Sequence, residues 1–359
     1  MFDPPPDTPR FHLRARWRAR HRERVTELEI RALDPRDDAD MDAFQAVYAA
    51  AERAEDPTAP LYSREDGVTM LLSSGTGGEL CEAYGAFAGD RMVGELMLTA
   101  PLRDNLGVAR VWIWVHPAHQ RRGVGTRLSS YADRRVAGLD RGICHAQARI
   151  GVERSNGNRT FAERCGYALA NTEIERRLPL PVDLELLDRL AADAAPHHAG
   201  YRLRTVIGPV PDDLAPSYVA LRNQIAVEMP SGDLEVEAGQ ETSAELAVQD
   251  RYLVDSGRTR VAAYALDPSG RVVAYAVAAV TNSHHDHVDQ WGTLVDPAHR
   301  GHRLGLAVKC AQLRALSSGF PDKTYVDTTN AETNAHMVAI NEALGFEVVQ
   351  VFGDFQKRL

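Results

Sequence analysis

Two stretches decide the reading: "VHPAHQRRGVG" at Val115–Gly125 and "VDPAHRGHRLG" at Val295–Gly305. They stand 180 residues apart, and a long-period repeat in a chain of 359 residues points to one structural plan used twice. The flanks support that. Upstream of the first copy, 28–33 reads as a strand, 37–54 as a helix, and 83–99 as a hairpin turning at Gly89-Asp90. Upstream of the second, 201–208 reads as a strand, 212–227 as one helix, and 260–280 as a hairpin turning at Pro268–Gly270.

Each hairpin is followed by a strand (109–115 and 289–295) that runs into the repeated phrase, and each phrase opens a helix (125–139 and 305–319). A strand (143–150; 323–329), a helix (156–167; 334–346) and a final strand pair are expected to close each half. The closing pairs Gly166-Tyr167 and Gly345-Phe346 are 179 residues apart, so the two halves keep register. The fold class is α/β, a mixed and mostly antiparallel sheet flanked by helices, built twice. The division expected is an extension at 1–27, one domain at 28–180, a linker at 181–200 with a short helical stretch, and a second domain at 201–359.

Composition narrows the function. With 44% hydrophobic and 25% charged residues the chain is globular, and its longest apolar run, Val272–Val280, is too short to cross a membrane. Residues 1–24 carry seven Arg against three acidic residues and read as a flexible extension, with an anion-binding arm as the alternative. The remainder is therefore more acidic than the formal charge of −9 for the whole. An acidic surface repels phosphate backbones, which argues against nucleic acid. Cys81, Cys144, Cys165 and Cys310 form no C-x-x-C pair, and the expectation is buried free thiols in a reducing cytoplasm. His284, His285, Asp286 and His287 are consecutive, so their side chains splay. They read as an exposed loop, and no metal is expected. Trp112, Trp114 and Trp291 read as core packing.

A strand that stops in a glycine turn and opens a helix aims unpaired amides and the positive end of the helix dipole at one point. That point suits an anion, and Gln120, Arg121 and Arg122 add donors. The order strand, Gln120-Arg121-Arg122-Gly123-Val124-Gly125, helix, strand, Asn-containing helix, Gly-aromatic resembles the GNAT superfamily of acyl-CoA N-acyltransferases. In tandem, as here, it resembles the two-domain arrangement of mycothiol synthases. The resemblance implies acetyl-CoA as co-substrate. It places coenzyme contacts at Val115, Gln120, Arg121, Arg122, Gly123, Val124, Gly125 and Thr126 in the first half. In the second half it places them at Leu294, Val295, Arg300, Gly301, His302, Arg303, Leu304, Gly305, Asn334 and Asn341. The counterpart of Asn334 is Ser155 by strict count, or Asn158 with a small shift. The second copy departs from the signature, with Arg303 at the glycine position and a glycine moved to 301. Arg303 is tolerable there if its backbone stays helical.

Acyl transfer to an amine needs a proton acceptor, an oxyanion donor and an acid for the departing thiolate. The resemblance implies a backbone donor on the strand before each phrase, and an acidic residue near the start of that strand. Asp289 fills this place in the second half, whereas Ala109 stands there in the first. Glu228 is the second candidate for the base. The tyrosine that many relatives use as acid is replaced by Ala162 and Asn341, leaving water, another hydroxyl or His336. The expected function is acetyl transfer from acetyl-CoA to an amine of a small molecule in a ternary complex, by a monomer or homodimer, with the second half catalytic. A coenzyme-binding sensor or scaffold, or a protein N-acetyltransferase, is the alternative.

Overall fold

The computed structural model describes residues 27–76, 78–152, 154, 156–281 and 286–359. The Arg-rich segment up to residue 26, Ser155, His284 and His285 lie outside the described residues. The first half runs β1 (Glu29–Ala32), α1 (Asp38–Glu55), α2 (Arg64–Leu72), β2 (Glu79–Ala88), β3 (Arg91–Pro101), β4 (Val108–Val115), α3 (Val124–Ala137), β5 (Ile143–Arg149), α4 (Gly157–Arg164) and β6 (Ala168–Pro179). A linking helix, α5 (Leu184–Ala194), follows. The second half runs β7 (Arg202–Ile207), α6 (Ala215–Arg222), α7 (Ile225–Glu228), α8 (Ser243–Asp255), β8 (Arg258–Leu266), β9 (Val272–Thr281), β10 (His287–Val295), α9 (Leu304–Gly319), β11 (Tyr325–Ala331), α10 (Ala335–Ala343) and β12 (Glu347–Arg358). The single helix expected over 212–227 is broken at Asn223-Gln224 into α6 and α7.

Local chemistry sets the ends of these elements. Asp37 caps α1 by accepting from the amides of Ala39 and Asp40, and capping boxes open α2 (Ser63 with Asp66) and α8 (Thr242 with Glu245). The β8–β9 turn closes on Asp267, whose carboxylate accepts from the amides of Ser269 and Arg271, with Gly270 at φ 86°. Unlike these helices, α3 and α9 have no side-chain cap.

All twelve strands form one sheet in the order β1-β2-β3-β4-β5-β12-β6-β11-β10-β9-β8-β7. The expected final strand pair in each half is replaced by one long strand, and the two long strands are exchanged. β12, from the second half, pairs with β5 of the first, while β6, from the first half, pairs with β11 of the second. β6 and β12 also pair with each other, at the centre of the sheet. Only β4–β5 and β10–β11 are parallel.

Helices cover both faces. On the back, α3 buries Val124, Leu128, Ala132 and Val136 against Leu96, Leu98 and Val111, and α9 buries Val308 and Leu313 over β8 and β9. α5 lies over α9, with Leu187 beside Cys310, Leu313 and Leu316, and this second covering layer leaves α9 buried on nearly every side. On the front, α1 packs Met41, Phe44 and Val47 against Phe87 and Met92, and α6 packs Tyr218 and Leu221 against Tyr264 and Tyr275. The halves also touch across the front, where Arg258 pairs with Asp66 at 3.1 Å and Arg103 with Glu245 at 2.7 Å. The four cysteines are free. Among the described residues no helix is long and apolar enough to cross a membrane, and no group of His, Cys, Asp and Glu could hold a metal ion.

Candidate active site

Each half contains a place where two parallel strands part. β4 and β5 pair from Val108–Ile143 to Val111–Ala146 and no further, and β10 and β11 pair from His287–Tyr325 to Gln290–Thr328. Beyond those points, Trp112–Val115 and 292–295 keep a partner on one side alone, so polar backbone faces the gap. In the second half the register slips between Gln290 and Gly292, making Trp291 a bulge residue. Trp291 is 47% exposed, which corrects the expectation of core packing. β4 runs against β3 without a bulge, and Trp114 packs inward beneath α1.

Each gap ends at the repeated phrase. After a turn of 3-10 helix, Gln120 is extended, Arg121 has φ 61°, and Gly123 has φ 88° and ψ 0°. In the second copy Arg300 is extended, Gly301 has φ 84°, and Arg303 has φ 51° and ψ 23°. Both turns therefore need left-handed backbone at their second and fourth positions. Glycine fills the fourth in the first half and the second in the second half. Arg303 does not keep a right-handed helical backbone as expected; it adopts the left-handed form, at a cost of about 1–2 kcal/mol. The first intrahelical bonds run from Arg127 to Gly123 and from Ala307 to Arg303, so the amides before them, with no side-chain cap, point outward. This donor set fits a diphosphate. Gly125 and Gly305 answer to packing instead. A Cβ at Gly125 would lie 3.0 Å from Phe161 Cζ, and one at Gly305 3.2 Å from Ile340 Cδ1.

The side chains of the two turns differ in what they hold. Arg121 is exposed and Gln120 Nε2 donates to the Val115 carbonyl at 3.2 Å. In the second turn Arg300 pairs with Glu228 at 2.5 Å, Arg303 donates to the Asp193 carbonyl at 3.1 Å, and His302 Nδ1 lies 3.0 Å from the His197 carbonyl. Glu228, a candidate base, is thus tied to the phosphate turn. Asn334 caps α10 by accepting from the Met337 amide. Asn341 has no exposed surface. It accepts from Lys309 Nζ at 2.6 Å and donates to Asn330 Oδ1 at 2.5 Å, so its side chain is not brought to the cleft.

The fronts of the two gaps are unlike. Across the first, Glu52 of α1 accepts from Trp114 Nε1 at 2.7 Å and from Arg149 Nη1 at 2.5 Å, joining β4 to β5. Behind Trp114, Glu95 is fully buried with neither carboxylate oxygen partnered, and burial, then the Glu52 charge, pushes its carboxyl far up. In the second half Asp289, 36% exposed, faces the front with His287 Nε2 at 3.3 Å. Tyr62 of the first half stands nearby. It shows 56% of its surface yet is hemmed in by protein, and that enclosure, then the Asp289 charge, pushes its phenol up to about 12. A cleft of about 310 Å³ between the halves is lined by Arg103, Arg110, Arg222, Ile225 and Glu241 among others. Ile225 Cδ1 lies 3.2 Å from the place of a Cβ on Gly292, in the parting strand.

Sequence reasoning missed the central strands. Ile174 and Leu178 turn to the back clusters, so Glu173, Glu175 and Arg177 face the front. Arg177 grips Asp327 at 2.7 and 2.8 Å. Burial raises Glu175 to about 7, with Asp327 adding to the shift and Arg149 and Arg177 opposing it. Burial likewise raises Asp354, which accepts from Gln147 at 2.9 Å and from Asn171 at 3.0 Å.

Residues 79–169 match the family model of the acetyltransferase (GNAT) domain. No curated protein matches the chain. Among solved structures, a tandem GNAT protein from the clavulanic acid biosynthesis pathway is 27% identical, with 92% of this chain and 98% of that chain covered and a TM-score of 0.73. A GCN5-related N-acetyltransferase from Sphaerobacter thermophilus, 16% identical with 92% and 95% covered, shares the fold at a TM-score of 0.62. The parted strands and uncapped helix starts thus follow a known acyltransferase plan: the first half carries an acetyltransferase (GNAT) domain over residues 79–169, and the chain as a whole is similar to a tandem GNAT protein.

Proposed function

We propose that the protein moves an acetyl group from acetyl-CoA to the amine of a small molecule by direct attack, that the second half carries the transfer, and that the first binds coenzyme or serves structurally. One contrast carries this reading. The first gap is crossed on its front by Trp114, Glu52 and Arg149, whereas the second presents an exposed bulge at Trp291 with Asp289 beside it. Asp289 is the general base of this reading, and Glu228 holds Arg300 at the diphosphate end. The amides of Val124, Gly125 and Thr126, and those of Leu304 to Leu306, are the proposed diphosphate donors. Val115, Leu294 and Val295 line the parted strands. In the inter-half cleft Glu79, Glu241 and Glu245 pair with Arg110, Arg222 and Arg103, which leaves Asp104 and Glu237 as the carboxylates that suit the approach of a cationic amine.

The test is release of free thiol from acetyl-CoA across a panel of small amines, with Asp289→Asn beside the unaltered protein. Amine-dependent release that falls at least 100-fold in the variant is expected. Acetyl-CoA binding without turnover of any amine would overturn the reading. It would favour a coenzyme-binding sensor, which the burial of Asn341 at the usual acid position supports.

A further inference from the structure

The strand exchange carries a carboxylate from each half to the gap of the other. β10 and β11 part after Gln290–Thr328, and the first β11 residue past that point, Thr329, lies opposite Glu175 of β6. In the first half β4 and β5 part after Val111–Ala146, and the first β5 residue past it, Gln147, lies opposite Asp354 of β12. Glu175 and Asp354 are 179 residues apart, the same interval as the closing Gly-aromatic pairs, so they are one position of the plan in two copies. Their surroundings differ. Asp354 is held by two side-chain amides, beside a gap that Glu52 bridges. Glu175 accepts no hydrogen bond from any described residue, keeps part of its surface accessible, and faces the front, where an acceptor would enter.

We propose that Glu175, supplied by the first half, is the proton shuttle of the second half's transfer site and replaces the thiolate acid missing at Asn341. This rests on the acetyltransferase reading above. The incoming ammonium gives one proton to Asp289, which passes it to solvent. The neutral nitrogen attacks the thioester carbonyl, a C–N bond forms, and the nitrogen's surplus proton moves to the Glu175 carboxylate. The C–S bond then breaks with its electron pair on sulfur, and the Glu175 carboxylic acid returns its proton to the thiolate, leaving amide, free thiol and an unchanged carboxylate. A group that takes and returns a proton in one turnover works best when its two forms are close in energy near neutral pH, and enclosure of Glu175 brings it there. The charged groups facing it are Arg177 and Glu173 on its own strand, Asp327 on β11, Arg149 on β5 and Asp56 past α1. Gln350 is its partner on β12.

The experiment uses the full chain with Glu175→Gln and Glu175→Asp. For the amine that the unaltered protein turns over best, Glu175→Gln is expected to lower kcat by 100-fold or more and to remove the acidic limb of its pH profile near 7, with KM for acetyl-CoA unchanged. Glu175→Asp is expected to recover part of kcat. Infrared titration of the free protein reads the same group without turnover: burial raises Glu173 to about 7 as well, so carboxyl absorbance titrating near neutral pH is expected in the unaltered protein and smaller by one carboxyl in Glu175→Gln. A kcat within threefold of the unaltered value, or a neutral-pH carboxyl band of undiminished amplitude after the substitution, overturns the proposal. Absence of turnover in the unaltered protein overturns the acetyltransferase reading instead, while the infrared difference still decides whether Glu175 titrates near neutral pH.

Discussion

Replacing Lys309 by methionine should make the stability curves of the two proteins cross as pH is varied. Lys309 lies on α9 with no exposed surface, its Nζ 2.6 Å from Asn341 Oδ1 and 4.7 Å from the centre of the Phe346 ring. Burial lowers its ammonium from 10.5 to about 7. Between those values the unfolded chain holds a proton that the folded protein lacks, so stability rises with pH across this window, by up to about 1.4 kcal/mol per pH unit. Below pH 7 both states are protonated and the folded protein carries the whole penalty, about 5 kcal/mol. Methionine has a similar reach and no charge, so Lys309→Met removes that penalty. It also leaves Asn341 Oδ1 without its donor, at about 1–3 kcal/mol. The variant should therefore be more stable by about 2–4 kcal/mol at pH 6 and less stable by up to about 2 kcal/mol at pH 10, where the unfolded lysine is still mostly protonated, with the crossing near pH 9. Urea unfolding of both proteins from pH 6 to pH 10 measures the difference directly. Parallel curves would show that Lys309 titrates alike in both states and would refute the reasoning.

Two further substitutions probe the gaps themselves. Nothing lies within 4 Å of a Cβ built on Gly123, so Gly123→Ala tests backbone conformation alone; it should cost about 1–2 kcal/mol, and a neutral result in denaturant unfolding would mean the left-handed turn relaxes freely. Glu52→Ala should lower stability by about 2 kcal/mol and shift the Trp114 emission, because the indole N–H and the Arg149 guanidinium lose their shared acceptor; unchanged emission and stability would show that the first gap is not bridged in solution.

The doubling of the plan was legible because it rests on local signals. The repeated phrase, the hairpin turns at Gly89 and Gly270 and the Gly-aromatic pairs each record a backbone conformation that short side-chain strings select. The same locality misled at Arg303. Glycine is needed at two positions of the turn, and a chain that places it at either one leaves the other to strain, so a single-position signature reads the second copy as degraded when its backbone matches the first. No local pattern marks Lys309 as buried; its burial comes from Asn341 of α10 and from Phe346, distant in sequence. Glu175 is on the polar side of an amphipathic strand. What no local pattern announced is that the strand lies beside the other half.

That pairing also bears on why two unlike halves stay joined. β12 pairs with β5 on one side and β6 on the other, and β6 is likewise enclosed by β12 and β11. Cut between the halves, the first would keep β6 but lose the strand between it and β5, and the second would lose the strand between β11 and β12. Each fragment would expose long unpaired edges whose back faces, at Ile174, Leu178, Val351 and Phe355, are buried in the intact chain. Neither half is then a folding unit on its own. A first half whose gap has closed over Trp114 and Arg149 still has a structural task, holding β6 in register so that Glu175 stands opposite Thr329. Under the proposed roles, loss of chemistry in the first copy is compatible with its retention, because the strand it lends pairs with β11 beside the second gap.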